Sequence, residues 1–512
     1  MTAGNPGDGA AAAARDRRQV DLRLVLPASA AWAAAAALPA IPADLRWPLV
    51  AAGLAATLVA AARRHLAAIA AAVGLAAGAA AVTVQLAALD RGAVATLARA
   101  HADVELTVRL VRDPALVTAK RSGRHLVVAD ATVTHVRRDH GPQLADRAPV
   151  VLFAVGSGWL GLLPGQQLRV HARLAPPRAG DDVAAVGFSY GPPRRLGRPP
   201  PWQRWAGHIR DGLRTACGSL SADERGLVPG LVLGDVSAMP PALTAAFRAT
   251  GLTHLNAVSG ANVAIVLGAV LAAVRRVGLG RRGRTVVAAV ALTGFAVLVR
   301  PSPSVLRASV MGAVALLAML IGRRAAPLPA LAGAVLTLVV LDPFLARTPG
   351  FAMSVLATAA IVTIAPAWTE RLARHLPRPV AAAVAVPAAA QLACTPVIVA
   401  AFGQLTPYAV LANLLAAPAV APATLAGIAC ALVAVVTPAA AALLAHFAGW
   451  PAGWLAVVAR TLSEAPGAGL HAPAGIRGLT LLTAVTAGSW LVGRTVRRRR
   501  RRALRDAAAM GC

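Results

Sequence analysis

Lysine is almost missing from this sequence. Lys120 is the single example, although lysine and arginine together number 51. The net charge of +30 is therefore carried by arginine, and an Arg-rich, Ala-rich chain is what a GC-rich coding sequence produces, so the Arg/Lys ratio alone points to no function. Charge of either sign is sparse, at 14% of residues against 57% hydrophobic, which puts the chain in the membrane class. Cys217, Cys394, Cys430 and Cys512 have neither metal-type spacing nor an obvious pairing. No Gly-x-x-x-x-Gly-Lys-Ser/Thr phosphate loop occurs, so ATP hydrolysis by that route is not expected. There is no His-Glu-x-x-His, and His135 and His140 around Arg137-Arg138 read as a solvated turn. No enzyme activity, metal or cofactor is expected. The N-terminus lacks a cleavable signal pattern, because the apolar run after Arg18 continues into further spans.

What is present is apolar sequence in helix-length pieces. Residues 1–21 read as a disordered cytoplasmic N-terminus. Residues 22–97 hold three candidate transmembrane helices, near 22–41, 47–62 and 66–88. Arg15, Arg17 and Arg18 precede the first and Arg63-Arg64 follow the second, so the positive-inside rule delivers what comes next to the outside. Residues 98–196 are not membrane sequence. Stretches 104–110 and 168–174 alternate apolar and polar residues, and 126–136 and 150–155 are β-rich, which predicts a small β-barrel.

Residues 197–254 form a linker and helices. Trp202, Trp205, Ile209 and Leu213 share a stripe that predicts either an amphipathic helix lying Trp side down in the membrane interface or one packed on the barrel. Ser221-Ala-Asp-Glu224 is a capping box, and Pro240-Pro241 starts another helix. Residues 255–494 are spans and short loops, near 256–274, 285–299, 304–321, 327–345, 350–366, 379–400, 438–460 and 478–494. A Pro-broken region at 407–436 spans or re-enters. Basic loops at Arg275–Arg284, Arg323-Arg324 and Arg371–Arg378 alternate with loops poorer in charge, and 495–512 is a basic tail. If the basic loops are cytoplasmic, both termini are inside and 98–250 are outside, and the two halves of the chain agree on this. The fold class expected is a polytopic α-helical membrane protein of about 12 spans with an inserted extracytoplasmic β domain.

The stretch from Gly251 to Ala264 joins the turn-rich half to the hydrophobic half, and His254, Asn256, Ser259 and Asn262 interrupt it. On one continuous helix 255, 259 and 262 share a face with 256 beside it. Polar side chains at membrane depth face a partner or water, so that face is either a helix-packing seam or a pore lining. Gly260 lets another backbone come close or lets the helix break. Arg307 is the one charge inside an otherwise apolar span, placed either to meet phosphates through its planar fork or to pair with Asp342 or Asp235. Gln391, Thr395 and Asn413, with Pro418 and Pro422, mark a further polar, helix-breaking region.

These residues carry a resemblance. Leu227-Val-Pro-Gly-Leu-Val-Leu-Gly-Asp235, Phe247-Arg-Ala-Thr-Gly-Leu-Thr-His-Leu255 and Ser259-Gly260 resemble the signature of ComEC-type competence proteins. Asn262 stands where many members carry a second His, so a role needing an imidazole there does not transfer. Ser302-Pro-Ser-Val-Leu-Arg-Ala-Ser309, Asp342-Pro343 with Gly350-Phe351 and Ser354, and Gln391-Leu-Ala-Cys-Thr-Pro396 with Phe402-Gly403 and Ala412-Asn-Leu-Leu-Ala416 follow in family order. The second acid that often precedes the Gly-Phe is missing, with Arg347 and Thr348 nearby instead.

The resemblance implies an OB-like barrel and a channel that passes single-stranded DNA across the cytoplasmic membrane in natural transformation. It makes His254, Asn256, Ser259, Gly260, Asn262, Ser304, Arg307, Gln391, Thr395 and Asn413 candidate lining residues. Arg109, Arg112, Arg121 and Arg124 become candidate DNA contacts, against a merely solvated basic surface. Aromatics in the barrel are scarce, chiefly Phe153, Trp159, Phe188 and Tyr190, which argues against a stacking platform. Expected partners are single-stranded DNA, membrane lipids, a cytoplasmic ATP-driven translocase, an extracytoplasmic DNA receptor and a separate nuclease. The His-x-His-x-Asp-His motif of the metallo-β-lactamase-like domain found in many relatives occurs nowhere in the sequence. The competing reading is a secondary transporter of a small polar or anionic solute.

Overall fold

The computed structural model describes residues 23–63, 65–118, 125–138, 141–178, 180–256, 258–300, 303–321, 326–478, 480 and 483. The expectations placed on 1–21, Arg121, Arg124, His140, Arg323-Arg324, most of 478–494 and the 495–512 tail lie outside the described residues.

Helix α1 (Val25–Ala37) packs on α3 (Leu66–Asp90), with α2 (Ala43–Ala62) alongside α3. Gly74 and Gly78, one turn apart on α3, let the two backbones close up: a Cβ on Gly74 would come within 2.5 Å of Pro27 Cα, and one on Gly78 within 2.8 Å of Ala31 Cα. Trp32 of α1 donates its indole N–H to the Ala346 carbonyl at 2.9 Å and meets Phe351 edge to face.

After the short α4 (Ala93–Arg99) comes the β domain, with β1 (Asp103–Leu110), β2 (Ala115–Thr118), β3 (His125–Arg137), β4 (Leu144–Ala154), β5 (Gln167–Ala175), β6 (Ala185–Ser189) and β7 (Arg194–Arg195). The alternation read from the sequence is the alternation of burial: Val104, Leu106, Val108 and Leu110 point inward, as do Leu168, Val170, Ala172 and Leu174. The strands form one sheet in the order β1-β3-β4-β6-β5-β7, with β2 on β3 and an additional β1–β5 pairing. All pairs are antiparallel except β4–β6. Trp159 is fully buried in this domain's core.

Helix α5 (Pro201–Ala216) corrects the amphipathic-stripe reading. Ile209 and Leu213 are fully buried in a core shared with α6 (Ala222–Leu233), α16 (Ala409–Val433) and α17 (Pro438–Ser463), while Trp202 and Trp205 stay exposed. Arg210 is buried beside them and donates to the Leu298 carbonyl at 3.0 Å. The stripe therefore divides: Ile209 and Leu213 join the helical core, and Trp202 and Trp205 stay at the surface. Ser221 and Glu224 form the capping box that starts α6, and Asp223 holds Arg460 of α17 through two bonds of 2.7 and 2.8 Å.

Asp235, just past α6, accepts from Arg214 at 2.6 Å and from the Ser237 hydroxyl at 2.7 Å. Burial alone would raise its pKa, but Ser237 and Arg214 outweigh burial and hold the carboxyl below its ordinary value. A depressed carboxyl contributes stability above its unfolded pKa and loses it as pH falls through the folded value. Asp235→Asn is expected to cost about 1–2 kcal/mol at neutral pH, less than a fully buried pair because Arg214 is half exposed. The deficit against wild type should shrink on acidification, as unfolding of the detergent-solubilised protein measured at several pH values would show.

Helix α7 (Pro241–Ala249) begins at the Pro pair. It is followed by α8 (Thr253–Asn256), α9 (Gly260–Arg276), α10 (Arg281–Val299), α11 (Pro303–Ile321), α12 (Pro327–Leu341), α13 (Pro349–Thr363), α14 (Ala365–Leu372) and α15 (Arg378–Phe402), then α16 and α17. Seven described helices (α2, α3, α10, α11, α15, α16, α17) are long and apolar enough to cross a membrane, or eight if α13 and α14, bent by 45°, count as one span. The expectation of about 12 is not met among the described residues. Helices α1 and α12 are apolar but short. Helix α9 has 17 residues and ends in Arg275-Arg276, giving about 26 Å against the roughly 30 Å of a bilayer core. The break expected in 407–436 does not occur: α16 is one continuous 25-residue helix through Pro418 and Pro422, long and apolar enough to span. Trp454 of α17 donates to the Leu415 carbonyl at 2.8 Å, next to the turn that Pro418 disturbs.

The β domain sits at one end of this bundle. Arg300, at the end of α10, forms an ion pair with Asp113, and Arg347, beyond α12, donates to the Gly180 carbonyl at 2.8 Å. Helix α10 begins at Arg281-Arg282 and α14 carries Arg371 in its last turn, so the basic ends of these helices lie away from the β domain. Arg347, standing where the sequence lacks the expected second acid, is thus a tether to the β domain.

Candidate functional site

The backbone leaves the helix between α8 and α9, and this overturns the single-face reading of 255, 259 and 262. Ser259 is extended (φ −99°, ψ 166°), and its carbonyl receives the N–H groups of Asn262 and Val263, which restarts the helix at Gly260. The break has local causes. Gly251 turns the chain at φ +73°, a conformation that suits glycine. The two asparagines on either side of the break are then pulled toward earlier elements. Asn256 donates to Met239 Sδ at 3.3 Å, and Asn262 donates to the Leu231 carbonyl at 3.0 Å in the last turn of α6. Both are buried, and the Oδ1 atom of each has no partner among the described residues. These two side chains are packing groups that cap and clamp, rather than groups open to a path.

His254 behaves differently. Its ring is accessible and its Nδ1 faces the Gly251 carbonyl at 3.1 Å, so that nitrogen carries the proton. Enough protein surrounds the ring that burial holds the imidazole below its ordinary pKa. Gly251 lies against Thr406, whose hydroxyl accepts from Gln391 at 3.1 Å, and Thr395 donates back to the Gln391 carbonyl. His254, Gly251, Thr406 and Gln391 therefore form one polar group where the central motif meets the α15–α16 junction. Asn413 stays outside it, bonded to Ala409 of its own helix.

A second group lies on the other side of the break. Arg307 is 5% exposed; its Nε donates to Ser354 Oγ at 2.8 Å and its Nη1 lies 3.2 Å from Met311 Sδ. Its Nη2 lies 3.0 Å from where a Cβ on Gly260 would sit. The expected pairing with Asp342 or Asp235 does not occur. Asp235 is taken by Arg214, Asp342 faces the Phe344 and Leu345 amides, and no ion pair among the described residues includes Arg307. Burial raises the Asp342 carboxyl pKa. Ser304, about one turn before Arg307, is partly buried. The sequence pointed to Ser354 only through its Gly-Phe-x-x-Ser spacing. Thr406 and Met311 gave no signal at all, because a threonine in a loop and a methionine in a span are ordinary.

In the β domain, Arg109 is exposed on β1, Arg112 is 3.5 Å from Asp130, and Arg121 and Arg124 are not among the described residues. Glu105 gathers Arg137 at 2.9 Å and Arg169 at 3.5 Å, so part of the basic surface is neutralised locally. The scarcity of aromatics is offset by their placement. Phe153 and Phe188 are in register on β4 and β6 and stack with centroids 5.8 Å apart, Phe188 being 52% exposed with Arg173 opposite it on β5.

The family model described as Competence protein matches residues 231–497, which contain both polar groups and the helix break. ComE operon protein 3 of Bacillus subtilis (strain 168) is 28% identical over 135 residues. That stretch is 26% of this chain and 17% of the relative's length. No solved structure matches the chain.

Proposed function

The chain belongs to the competence protein family, and on that premise we propose that it forms the route by which single-stranded DNA crosses the cytoplasmic membrane in natural transformation. The observation that carries this reading is Arg307, a buried cation with no carboxylate partner among the described residues, set against the α8–α9 break. DNA cannot enter lipid, because unpaired phosphate charge is too costly there, so its path must present cations and hydrogen-bond donors. A negative-inside potential opposes each entering phosphate by about 2.3 kcal/mol per 100 mV, so a cytoplasmic ATP-driven translocase must pull. In this reading an extracytoplasmic receptor delivers DNA to the β domain, and a separate nuclease supplies single strands. The β domain is OB-like, a reading supported by the β1-β3-β4-β6-β5 order, the β1–β5 pairing and the parallel β4–β6 pair. Its stacked phenylalanines and Arg173 are the part best suited to a base. The test is a deletion strain assayed for uptake of labelled DNA and for transformation. Loss of neither would overturn the reading.

The proposed orientation is separately testable. With every basic loop inside, introduced cysteines at 140 should react with an impermeant reagent from outside, and those at 280, 372 and 505 only after lysis. The native background is low among the described residues, where Cys217, Cys394 and Cys430 are buried and burial pushes the Cys217 thiol up to about 12. Protection of position 140 in intact cells would reverse the orientation.

A further inference from the structure

The N-terminus of α9 and the guanidinium of Arg307 meet at a point where the sequence places no side chain. Arg307 is 5% exposed, and of its three nitrogens Nε is used by Ser354 and Nη1 by Met311. Nη2 has no acceptor among the described residues and points at the space beside Gly260, 3.0 Å from where a Cβ would be. Gly260 and Ala261, the first two residues of the 17-residue α9, have N–H groups with no acceptor among the described residues. Ser259 holds the N-cap position without using its side chain to cap. Helices α9, α11 and α13, which enclose this point, contain no aspartate or glutamate. The result is a buried cation, two backbone donors, a hydroxyl and the positive end of a helix dipole, with no anion among the described residues to balance them.

We propose that this junction binds one phosphate group, with its oxygens on Arg307 Nη2, the Gly260 and Ala261 amides and the Ser259 hydroxyl. Gly260 is the cradle, because a Cβ there would crowd Arg307 Nη2, the free donor of the site, at 3.0 Å. The inference rests on the reading of the chain as a DNA route, and it makes this point a phosphodiester station on that route. The headgroup of an anionic phospholipid offers the same chemistry, so the experiment separates the two sources.

The full-length protein in nanodiscs of neutral phosphatidylcholine is titrated with a fluorescent single-stranded oligonucleotide and with an uncharged peptide nucleic acid of the same sequence. Gly260→Ala and Arg307→Gln should each weaken oligonucleotide binding about tenfold, and the double variant little more, because both act on one site. Neither should change whatever binding the uncharged strand shows. Arg307→Lys should restore part of the affinity, which a folding defect would not allow. Equal oligonucleotide affinity in wild type and Gly260→Ala overturns the proposal. If nanodiscs containing phosphatidylglycerol remove the Gly260-dependent binding, the occupant is a lipid headgroup and the DNA assignment is overturned. Passage of a labelled strand down its gradient into proteoliposomes held at zero membrane potential, where no field opposes entry and no translocase is required, keeps the two readings apart. Passage by wild type with unaltered binding in Gly260→Ala removes the station and leaves the route. Gly260-dependent binding without passage removes the route and leaves the anion site.

Discussion

Arg307→Leu is expected to abolish DNA entry per inserted molecule while the protein accumulates in the membrane at normal or higher levels. The sign of the second effect follows from the missing counter-ion. A structural arginine would be paired, and its loss would strand a buried carboxylate at a cost of several kcal/mol. Arg307 instead holds a serine hydroxyl and lies beside a thioether, and none of the described ion pairs uses it. An arginine costs about 2.5–3.5 kcal/mol at the centre of a span on insertion scales and less toward its end, where Arg307 lies about one turn into α11, so leucine relieves a smaller cost of the same sign. Stability rising as function is lost is the signature of a group kept for its charge. Arg307→Lys should give a partial defect, since the charge survives and the planar fork does not. Asn262→Leu separates packing from passage. Its carboxamide caps the Leu231 carbonyl in the last turn of α6, and removing it leaves that buried acceptor orphaned, a loss of about 1–3 kcal/mol. The amount of folded protein should fall while uptake per molecule stays near normal. Uptake of labelled DNA normalised to membrane-inserted protein measures both, and unchanged uptake per molecule in Arg307→Leu would remove the residue from the path.

The parts of this molecule that were legible in its sequence are those set by local periodicity. Alternation gave β1 and β5, because a strand with one buried face has period two, while the short β2, β6 and β7 carry too few residues to show a period. Ser221 and Glu224 gave the start of α6, since a capping box satisfies its own donors without outside help. Where tertiary partners decide, the reading failed. The face shared by 255, 259 and 262 assumed an unbroken helix, and nothing in the motif announces that Met239 and Leu231 will draw Asn256 and Asn262 apart. Pro418 and Pro422 promised a broken segment, but α16 stays whole through both, held along its length against α17. The stripe on α5 divides for the same reason: Ile209 and Leu213 find helices to pack on, and Trp202 and Trp205 do not.

Gly74→Val should be the most damaging small substitution outside the polar groups. Helix α3 lies so close on α1 that a Cβ at Gly74 would come within 2.5 Å of Pro27 Cα, and one at Gly78 within 2.8 Å of Ala31 Cα. Those neighbours are backbone, so no rotamer change relieves the overlap and the helices must move apart. Overpacking of a core usually costs about 1–3 kcal/mol, and contact with backbone puts this case at the upper end or beyond. The displacement also has a route to the β domain. Helix α1 carries Trp32, whose indole holds the Ala346 carbonyl, and the next residue, Arg347, donates to Gly180 of the β domain. Moving α1 therefore pulls on the tether that helps seat the β domain over the bundle. The expected result is a large fall in folded protein, and faster proteolysis of the β5–β6 loop, 176–184, in the molecules that survive. Gly74→Ala should show the same two effects more weakly. Arg347→Ala should speed cleavage of that loop without the fall in folded protein, because it releases the tether and leaves the α1–α3 seam intact. If loop cleavage in Gly74→Ala matches wild type while folded protein falls, α1 stabilises the bundle without positioning the β domain.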